Sequence, residues 1–157
     1  MAVLRSARVE LPLWSADDVA AIRAGERRPG WHPQFPREDD RDVASLWREG
    51  DPWSTRSVVV DGVVVGSIGF FAAPEPAADG QLEAEVGYGL VEDARGRGLM
   101  TDALATVLRV TDAQGVRVRA SVEPTNARSL KVLAACGFTD LRGSDEDGHL
   151  VLARPVR

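Results

Sequence analysis

The strongest constraint on the fold is a strand-like segment that passes through a glycine-rich turn into a long helix. Residues 82–91 alternate between apolar positions and polar or glycine positions, which is the pattern of a half-buried β-strand. The turn Arg95-Gly96-Arg97-Gly98 follows, and apolar residues then recur at helical spacing as far as Gln114, where Gly115 is a typical helix end. A strand and a helix joined this directly predict a domain in which helices pack on a sheet.

Strand and helix patterns alternate along the rest of the chain. Two β-branched runs in SVVVDGVVVGSIGFF are joined by Asp61-Gly62, which is the strongest short signal for a β-hairpin. Ser15 is a suitable helix cap, with Asp17 and Asp18 in the first turn. The other predicted elements are strands at Arg8–Leu13, Val116–Val122, Phe138–Arg142 and His149–Arg154, helices at about Glu38–Glu49 and Asn126–Cys136, and a loop at Pro74–Gly80. The order β-α-α-β-β-β-α-β-α-β-β predicts an α+β (mixed α/β) fold around one sheet.

The composition predicts one ordinary domain, residues 1–157. The chain has 44% hydrophobic and 27% charged residues and a formal net charge of −5. No run approaches the roughly 18 apolar residues that a membrane span requires. Arg5, Arg8 and Glu10 interrupt the first apolar stretch, so we expect no signal peptide and a cytoplasmic location. Modest acidity argues against broad nucleic-acid binding, and one cysteine with two histidines argues against a disulfide or a metal site.

The turn at residues 95–98 has three properties that favour binding of an anion. The first turn of the following helix leaves backbone N–H groups unpaired, and the helix dipole attracts negative charge. Glycine lets the backbone approach a ligand closely, and Arg95 and Arg97 add positive charge. The segment therefore predicts a pyrophosphate cradle, although a tight turn with two solvent-facing arginines would give the same pattern. It is not a P-loop, because no Gly-Lys-Ser/Thr follows, and Thr101 replaces the last glycine of a dinucleotide fingerprint.

A second motif follows the cradle, and the two together resemble a known family. EPTNARSLKVLAACGF places Asn126 at the start of a helix that ends at Gly137-Phe138. In the cradle, Arg95 and Gly98 fit the motif Arg/Gln-x-x-Gly-x-Gly/Ala, while Met100 replaces its small last residue. On these residues the chain resembles the GNAT superfamily of acetyl-CoA-dependent N-acetyltransferases over essentially its whole length. The segments RGRGLMTDAL and NARSLKVLAACGF are most similar to the ribosomal-protein alanine N-acetyltransferases.

The resemblance implies a mostly antiparallel, twisted sheet in which two parallel strands splay apart around coenzyme A. These strands would be the one that ends near Val91 and the one at Val116–Val122. Exposed backbone of Leu90 and Val91 would bind the pantetheine arm, and Asn126 would reach the same arm from the neighbouring helix. Acetyl-CoA would be the co-substrate, with no metal. The pyrophosphate would be held by Arg95, Gly96, Arg97, Gly98, Leu99 and Met100.

The implied reaction is direct attack of an amine on the thioester carbonyl. It requires a base for the ammonium proton, donors for the developing oxyanion and an acid for the departing thiolate. Glu85 is the predicted base, acting directly or through water, because it lies on the polar side of the strand at 82–91, where many family members carry a glutamate. Glu83 shares that side and is the competing candidate. For either residue, a salt-bridged surface carboxylate is the alternative.

The proton donor to the thiolate departs from the family pattern. Many members have a tyrosine seven residues after the asparagine, but this chain has Leu133 there. Ser129, three residues after Asn126, is the predicted replacement, and a helix-capping serine is the alternative. Tyr88 is predicted to pack in the core, because its strand neighbours on the same side are apolar. Cys136 has no evident base partner, which argues against an acyl-cysteine route.

The acceptor amine is expected on two segments opposite the coenzyme. One is the aromatic loop that contains Trp31, His32 and Phe35, between the first two helices. The other is the acidic turn Ser144–Gly148 between the last two strands, which could attract a cationic amine. Each segment has a plain alternative: the aromatic rings could cap the core, and the acidic turn could simply be solvated.

Three functions are consistent with the sequence. The first is an N-acetyltransferase that acetylates a primary amine, on a small molecule or a protein N-terminus. The second is a catalytically inactive acyl-CoA-binding sensor, and the third is another kind of nucleotide- or phosphate-binding domain. Coenzyme A binding separates the third from the others, and turnover separates the first two. We expect no nucleic-acid or membrane partner, and a homodimer is left open.

Overall fold

A computed structural model of the protein describes residues 3–157, which form a nine-stranded sheet and four α-helices. The strands are β1 (Leu4–Arg5), β2 (Glu10–Leu11), β3 (Arg56–Val60), β4 (Val63–Phe70), β5 (Glu75–Pro76), β6 (Leu82–Leu90), β7 (Arg117–Val122), β8 (Asp140–Ser144) and β9 (Leu150–Arg154). The helices are α1 (Ala16–Ala24), α2 (Glu38–Val43), α3 (Leu99–Ala113) and α4 (Ala127–Ala135), with short 3₁₀ turns at Ala44–Leu46 and Glu92–Ala94.

The sheet opens between its two parallel strands. Its order is β1-β2-β3-β4-β6-β7-β9-β8, with β5 beside the start of β6, and neighbours are antiparallel except for β6 and β7. The parallel pairing joins Glu83–Glu85 to Arg117–Arg119, whereas β6 continues to Leu90 and β7 to Val122. The ends of the two strands therefore separate. The predicted mixed α/β fold, with a mostly antiparallel sheet and splayed parallel strands, is confirmed.

Local sequence signals place several of these elements. Asp61 and Gly62 both have positive φ (50° and 78°), as a two-residue hairpin turn requires, and they join β3 to β4. Ser15 and Asp18 exchange bonds at the start of α1: the Asp18 N–H donates to Ser15 Oγ at 3.1 Å, and the Ser15 N–H donates to the Asp18 carboxylate at 2.9 Å. The predicted hairpin turn and helix start are therefore confirmed. Both signals depend only on residues that are near neighbours in the chain, which is why the sequence alone can show them.

Helix α3 fixes the position of the glycine-rich turn relative to the sheet. Its apolar stripe packs into the core and contacts β6, β7 and α4. The first turn of α3 therefore lies beside the open end of β6. The buried residues of the stripe are Leu99, Met100, Ala103, Leu104, Val107 and Leu108.

The second helix is shorter than the sequence predicts. It was expected to reach Glu49, but α2 ends at Val43 and continues as a single 3₁₀ turn to Leu46. The indole N–H of Trp47 donates to the carbonyl of Trp14 at 3.1 Å, which holds the chain after Leu46 in an extended conformation. A tertiary contact thus overrides the helical pattern.

The strands differ from the prediction in four places: two predicted strands have other bounds, and two short strands were not predicted. The predicted strand Arg8–Leu13 pairs as β2 over two residues, because Ser6 Oγ accepts the N–H groups of Arg8 and Val9 and turns the chain there. The sequence reading did not find β1 or the two-residue β5, which lies in the predicted loop at Pro74–Gly80. Strand β8 begins at Asp140 rather than Phe138, whose ring is buried in the core.

Glu83 forms a buried ion-pair cluster at the paired part of β6 and β7. Its carboxylate accepts bonds from Arg117 at 2.6 Å and Arg119 at 2.8 Å, and it lies 2.7 Å from Arg142 on β8. The Glu83 side chain is 4% exposed. Burial alone would raise the pKa of this carboxyl group, but the three guanidinium groups outweigh it and hold the pKa below its usual value. Glu83 therefore joins three strands and has no free access to a substrate.

Glu83→Gln is expected to lower the free energy of unfolding by about 2 kcal/mol at pH 7, because it removes the buried carboxylate charge to which three arginines bond. The lowered pKa of Glu83 means that its stabilisation is complete above the unfolded-state pKa and is lost as the pH falls through the folded-state pKa. The deficit of the variant should therefore shrink in acid. Urea unfolding between pH 3 and 8 measures it.

Glu26→Gln is the matched control, because Glu26 is exposed and forms no ion pair among the described residues. Its effect on unfolding should stay within about 0.5 kcal/mol. Equal effects of the two substitutions, or a deficit for Glu83→Gln that does not change with pH, would show that the cluster does not stabilise the sheet.

Candidate active site

Two clefts meet at the open end of β6. The first, the α3–α4 cleft, has a volume of about 470 Å³ and lies between the first turn of α3, the outer face of α4 and residues Gly89 and Leu90. The second, the acidic cleft, has a volume of about 480 Å³ and lies between α2, β4, β6 and the turn before β9. Arg37, Tyr88 and Ser129 line both clefts. A molecule in one cleft can therefore reach a molecule in the other at these three side chains.

The gap beside β6 exposes backbone groups of two residues. The Val91 N–H donates to the Val65 carbonyl at 2.8 Å. Because backbone groups alternate in direction along a strand, those of Gly89 and Val91 bond to β4, and those of Tyr88 and Leu90 point toward β7. The pairing of β6 with β7 ends at Glu85, so the backbone groups of Tyr88 and Leu90 do not bond to β7. The carbonyl of Leu90 accepts Arg95 Nε at 3.2 Å, which leaves the Leu90 N–H and both backbone groups of Tyr88 facing the gap.

Val91 does not have the free backbone that the sequence reading gave it. Its N–H bonds to Val65 and its carbonyl accepts the Ala94 N–H at 3.0 Å, because the chain turns there into the 3₁₀ segment. Its side chain is buried in the core. Val91 therefore offers no free backbone group to the gap, whereas both backbone groups of Tyr88 face it.

The glycine-rich turn presents unpaired amides to the α3–α4 cleft. Gly96 and Gly98 have φ values of 80° and 71°, and a Cβ atom at Gly96 would meet nothing within 4 Å. The Asp102 N–H donates to the Gly98 carbonyl, so the N–H groups of residues 99–101 precede the first helical bond and have no helical partner. Gly96, Gly98, Leu99 and Met100 all line the cleft. This arrangement suits a diphosphate.

The two arginines of the turn differ in their placement. Arg95 lines the cleft, whereas Arg97 does not: its guanidinium donates to the Asp93 carbonyl at 3.3 Å. The prediction that both side chains add charge to the cradle is therefore corrected for Arg97. Arg8 donates to the Arg97 carbonyl at 2.5 Å, and its guanidinium lies 3.4 Å from the position of a Cβ atom at Gly98. Arg8, which is far from the turn in the sequence, thus adds a further positive charge at the edge of the turn.

Helix α4 adds two cations that the sequence reading missed. Asn126 caps the helix, with its Oδ1 accepting the Ser129 N–H at 3.2 Å, and it also lines the α3–α4 cleft. Arg128 and Lys131 line the same cleft. They are three residues apart and therefore share one helix face, which is the signal that could have found them. Together with Arg95 they give this cleft the charge that a multiply phosphorylated ligand requires.

Tyr88 and Ser129 form a hydroxyl pair where the clefts meet. Their oxygen atoms lie 2.8 Å apart, and either can donate. Burial raises the pKa of Tyr88 to about 12, so its hydroxyl group keeps its proton at neutral pH. The prediction that Tyr88 simply packs in the core missed this contact. Leu133, which stands where many relatives have tyrosine, is fully buried and offers no polar group.

Arg37 lies at the boundary between the two clefts and lines both of them. Its guanidinium bonds to both oxygens of Asp40, at 2.9 and 3.1 Å, and the fully buried Asp40 also accepts Ser67 Oγ at 2.6 Å. A side chain at position 89 would collide with this guanidinium, so Gly89 is required there. The sequence reading missed this network because its members come from α2, β4 and β6 and share no local pattern.

Five carboxylate residues give the acidic cleft its charge. Glu85 lies on β6 and bonds to Arg119 Nε at 3.2 Å, while it remains partly exposed. The acidic turn before β9 lines this cleft, as the sequence predicts, and His149 follows it. Apolar side chains, including Phe70 and Phe71, separate the charges. The other four acidic residues of the lining are Asp39, Asp42, Asp145 and Asp147.

The predicted aromatic substrate loop lies outside both clefts. Phe35 is 1% exposed, and Trp31 packs edge to face against it with ring centroids 5.1 Å apart. The backbone N–H of His32 donates to the Val64 carbonyl, and its Nε2 lies 3.5 Å from Asp93. None of the three residues lines either cleft, so this geometry gives no support to the prediction that they contact the acceptor. The loop instead packs beside β4, with Phe35 in the core.

The fold and the α3–α4 cleft together define a class of protein that binds a phosphate-bearing carrier in an opened sheet. The chain belongs to the GNAT acetyltransferase family, because residues 8–139 match the family model described as an acetyltransferase (GNAT) domain. A comparison with curated protein sequences finds no match.

Solved structures of acetyltransferases share the fold over nearly the whole chain. RimJ of Mycobacterium smegmatis, in complex with CoA-disulfide, is 26% identical, with 92% of this chain and 80% of that one covered and a TM-score of 0.65. The ribosomal-protein-S5-alanine acetyltransferase of Vibrio fischeri is 19% identical, with 99% and 97% covered and a TM-score of 0.68. RimL, a ribosomal L7/L12 α-N-protein acetyltransferase in complex with coenzyme A, is 21% identical, with 99% and 98% covered and a TM-score of 0.70. The predicted family is confirmed, and these folds agree with the predicted branch.

The described residues give two further findings. Helices long and apolar enough to cross a membrane do not occur between residues 3 and 157. The same part of the chain holds no group of three or more His, Cys, Asp or Glu residues arranged to bind a metal ion.

Proposed function

We propose that the protein transfers the acetyl group of acetyl-CoA to a primary amine, with the coenzyme in the α3–α4 cleft and the amine in the acidic cleft. The observation that carries this proposal is the meeting of the two clefts at Tyr88 and Ser129. A cationic, amide-rich cleft and an acidic one suit the two reactants, which have opposite charge. The reaction occurs by direct attack, in keeping with the family.

The residues of the α3–α4 cleft fit coenzyme A. The unpaired amides at Gly98, Leu99 and Met100 suit the pyrophosphate, and the backbone of Tyr88 and Leu90 can extend the sheet to the amides of the pantetheine arm. Further groups that would contact the coenzyme are Arg95, Gly96, Asn126, Arg128 and Lys131. The coenzyme supplies the acetyl group as a reactive thioester.

Glu85 and the hydroxyl pair move the protons. Glu85 lines the acidic cleft and accepts the ammonium proton of the acceptor, directly or through water, whereas Glu83 is held by three arginines away from both clefts. Ser129, bonded to Tyr88, delivers a proton to the sulfur atom of the departing thiolate. The contact with Tyr88 supports this assignment, since the Tyr88 hydroxyl group can return a proton to Ser129 or orient it.

The acceptor carries positive charge, on a small molecule or at a protein N-terminus. Asp42 and Asp147 form no ion pair among the described residues, and with Glu85 they favour an acceptor that has a second cationic group. The similarity to RimL, an α-N-protein acetyltransferase, supports a protein N-terminus, whereas the charge of the cleft equally suits a small polyamine.

A thiol-release assay with acetyl-CoA and a panel of amines tests the proposal. The panel contains peptides that start with Ala or Ser, polyamines, aminoglycosides and simple monoamines. We expect at least one amine to release coenzyme A, with diamines or basic peptides preferred over monoamines of equal length. Acetyl-CoA binding without turnover on the whole panel would instead support the acyl-CoA-binding sensor, and absence of binding would exclude both.

Ser129→Ala and Tyr88→Phe each remove one hydroxyl group from the pair. We expect kcat to fall about 10- to 100-fold in each variant, because the thiolate loses its proton donor or the residue that orients it. Acetyl-CoA affinity, measured by calorimetry, should stay within about threefold, since neither hydroxyl group belongs to the cradle. The double variant should be little worse than either single variant if the two act as a unit. A loss of affinity with unchanged kcat would show a purely structural role.

A further inference from the structure

Arg56 is a buried cation without a carboxylate partner. It begins β3 and is 7% exposed, and its guanidinium donates to the carbonyl groups of Leu11 at 3.0 Å and Pro52 at 3.2 Å. No ion pair within 4 Å joins it to an acidic residue in the described part of the chain. Burial lowers its pKa from the usual value. The other buried arginine, Arg154, has Asp112 at 2.6 Å as its partner.

The missing anion is significant because a buried charge is costly unless it is paired. Two carbonyl dipoles offset part of this cost, but a guanidinium has five N–H donors arranged to match a carboxylate. Arg56 is therefore a cation that a bound anion would stabilise. The site needs an opening through which such an anion can enter.

A cavity of about 410 Å³ lies beside Arg56 and is lined mainly by apolar side chains. Trp53 and Phe70, whose rings pack edge to face with centroids 5.0 Å apart, form one wall. Val107 and Val110 of α3 form the other. Thr111 also lines the cavity, but its hydroxyl group already donates to the Leu108 carbonyl at 3.0 Å. The cavity shares no lining residue with the α3–α4 cleft.

We propose that this cavity binds a small monocarboxylate with an apolar body, in which the carboxylate group pairs with Arg56 and the hydrocarbon packs against Trp53, Phe70 and α3. The charge of the ligand follows from the unpaired guanidinium, and its apolar body follows from the lining. A ligand with several charges or a sugar would leave polar groups unpaired against Val107 and Val110. The assignment of this ligand does not depend on the proposed acetyl transfer, and the cavity shares Phe70 with the acidic cleft.

Octanoate is the probe, and calorimetry together with tryptophan fluorescence is the measurement, since Trp53 lines the cavity. We expect saturable binding with an altered fluorescence signal. Affinity should rise about fourfold for each methylene group from butanoate to octanoate, as expected for burial of hydrocarbon. 1-Octanol, which has the same chain and no charge, should bind at least about tenfold more weakly than octanoate.

Two variants locate the site. Arg56→Met should weaken octanoate binding at least about tenfold and make octanoate and 1-octanol equal. Val110→Phe fills the cavity and keeps Arg56, so it should weaken both ligands while acetyl-CoA affinity stays unchanged. If Arg56→Met fails to fold, Val110→Phe alone decides. Absence of octanoate binding, equal binding of octanoate and 1-octanol by the unmodified protein, or unchanged binding in Val110→Phe would each overturn the proposal.

Discussion

Gly98→Asp is expected to weaken acetyl-CoA binding by at least about a thousandfold. Gly98 is the N-cap of α3, and a carboxylate there would face the unpaired amides that suit the pyrophosphate. Two like charges about 4 Å apart near a protein surface repel by about 4 kcal/mol, which corresponds to nearly three powers of ten in affinity. The new carboxylate would also pair with Arg8 or Arg95 and remove their charge from the cradle. Calorimetric titration with acetyl-CoA measures the loss.

Gly98→Asn is the matched control for this prediction. Asn has the size of Asp and tolerates the left-handed φ of 71° equally well, but it adds no charge. The nearest atom to a Cβ there is Arg8 Nη1 at 3.4 Å, so either side chain fits with a small adjustment. We expect a loss of about tenfold or less for Asn. If both variants lose affinity equally, space rather than charge determines the effect, and the diphosphate assignment fails.

Local signals in the sequence indicate the residues that line the α3–α4 cleft better than those that line the acidic cleft. The strand, the turn Arg95–Gly98 and the head of α3 follow one another along the chain, so their periodicity and glycine positions show the cradle directly. The acidic cleft instead combines α2, β4, β6 and the turn before β9, which meet only in the folded sheet. The network of Arg37, Asp40 and Ser67 therefore left no pattern to recognise.

Tyr88 shows that a correct local pattern does not reveal every contact of a side chain. Its alternation with apolar residues in β6 does place it on the side of the sheet that packs, and it is largely buried. What alternation cannot show is that β6 loses its partner strand after Glu85, so that the later residues of this side face a gap. The aromatic loop shows the converse: loops are usually exposed, yet Phe35 is buried and Trp31 is partly buried against it, which is the core-capping alternative that the sequence left open.

Glu85→Gln is expected to lower kcat about a thousandfold at pH 7 while acetyl-CoA affinity stays nearly unchanged. Without a base, only amine that is already neutral can react, and an alkylamine acceptor with a pKa near 10.4 is neutral in only about one molecule in 2,500 at this pH. The rate of the variant should therefore rise about tenfold for each pH unit, so that its deficit shrinks between pH 7 and 9. The pH dependence of kcat measures this.

The same experiment separates a base from a carboxylate that only attracts the amine. If Glu85 acted through its charge alone, the substitution would raise KM for the acceptor, leave kcat nearly unchanged and give the same pH dependence as the unmodified protein. Glu92→Gln is the control, because Glu92 is exposed and lines neither cleft. A fall in kcat that is constant from pH 7 to 9 would exclude Glu85 as the base. Since Glu83 is held by three arginines, the base would then have to be a water molecule or another polar group of the acidic cleft, such as Asp147 or His149.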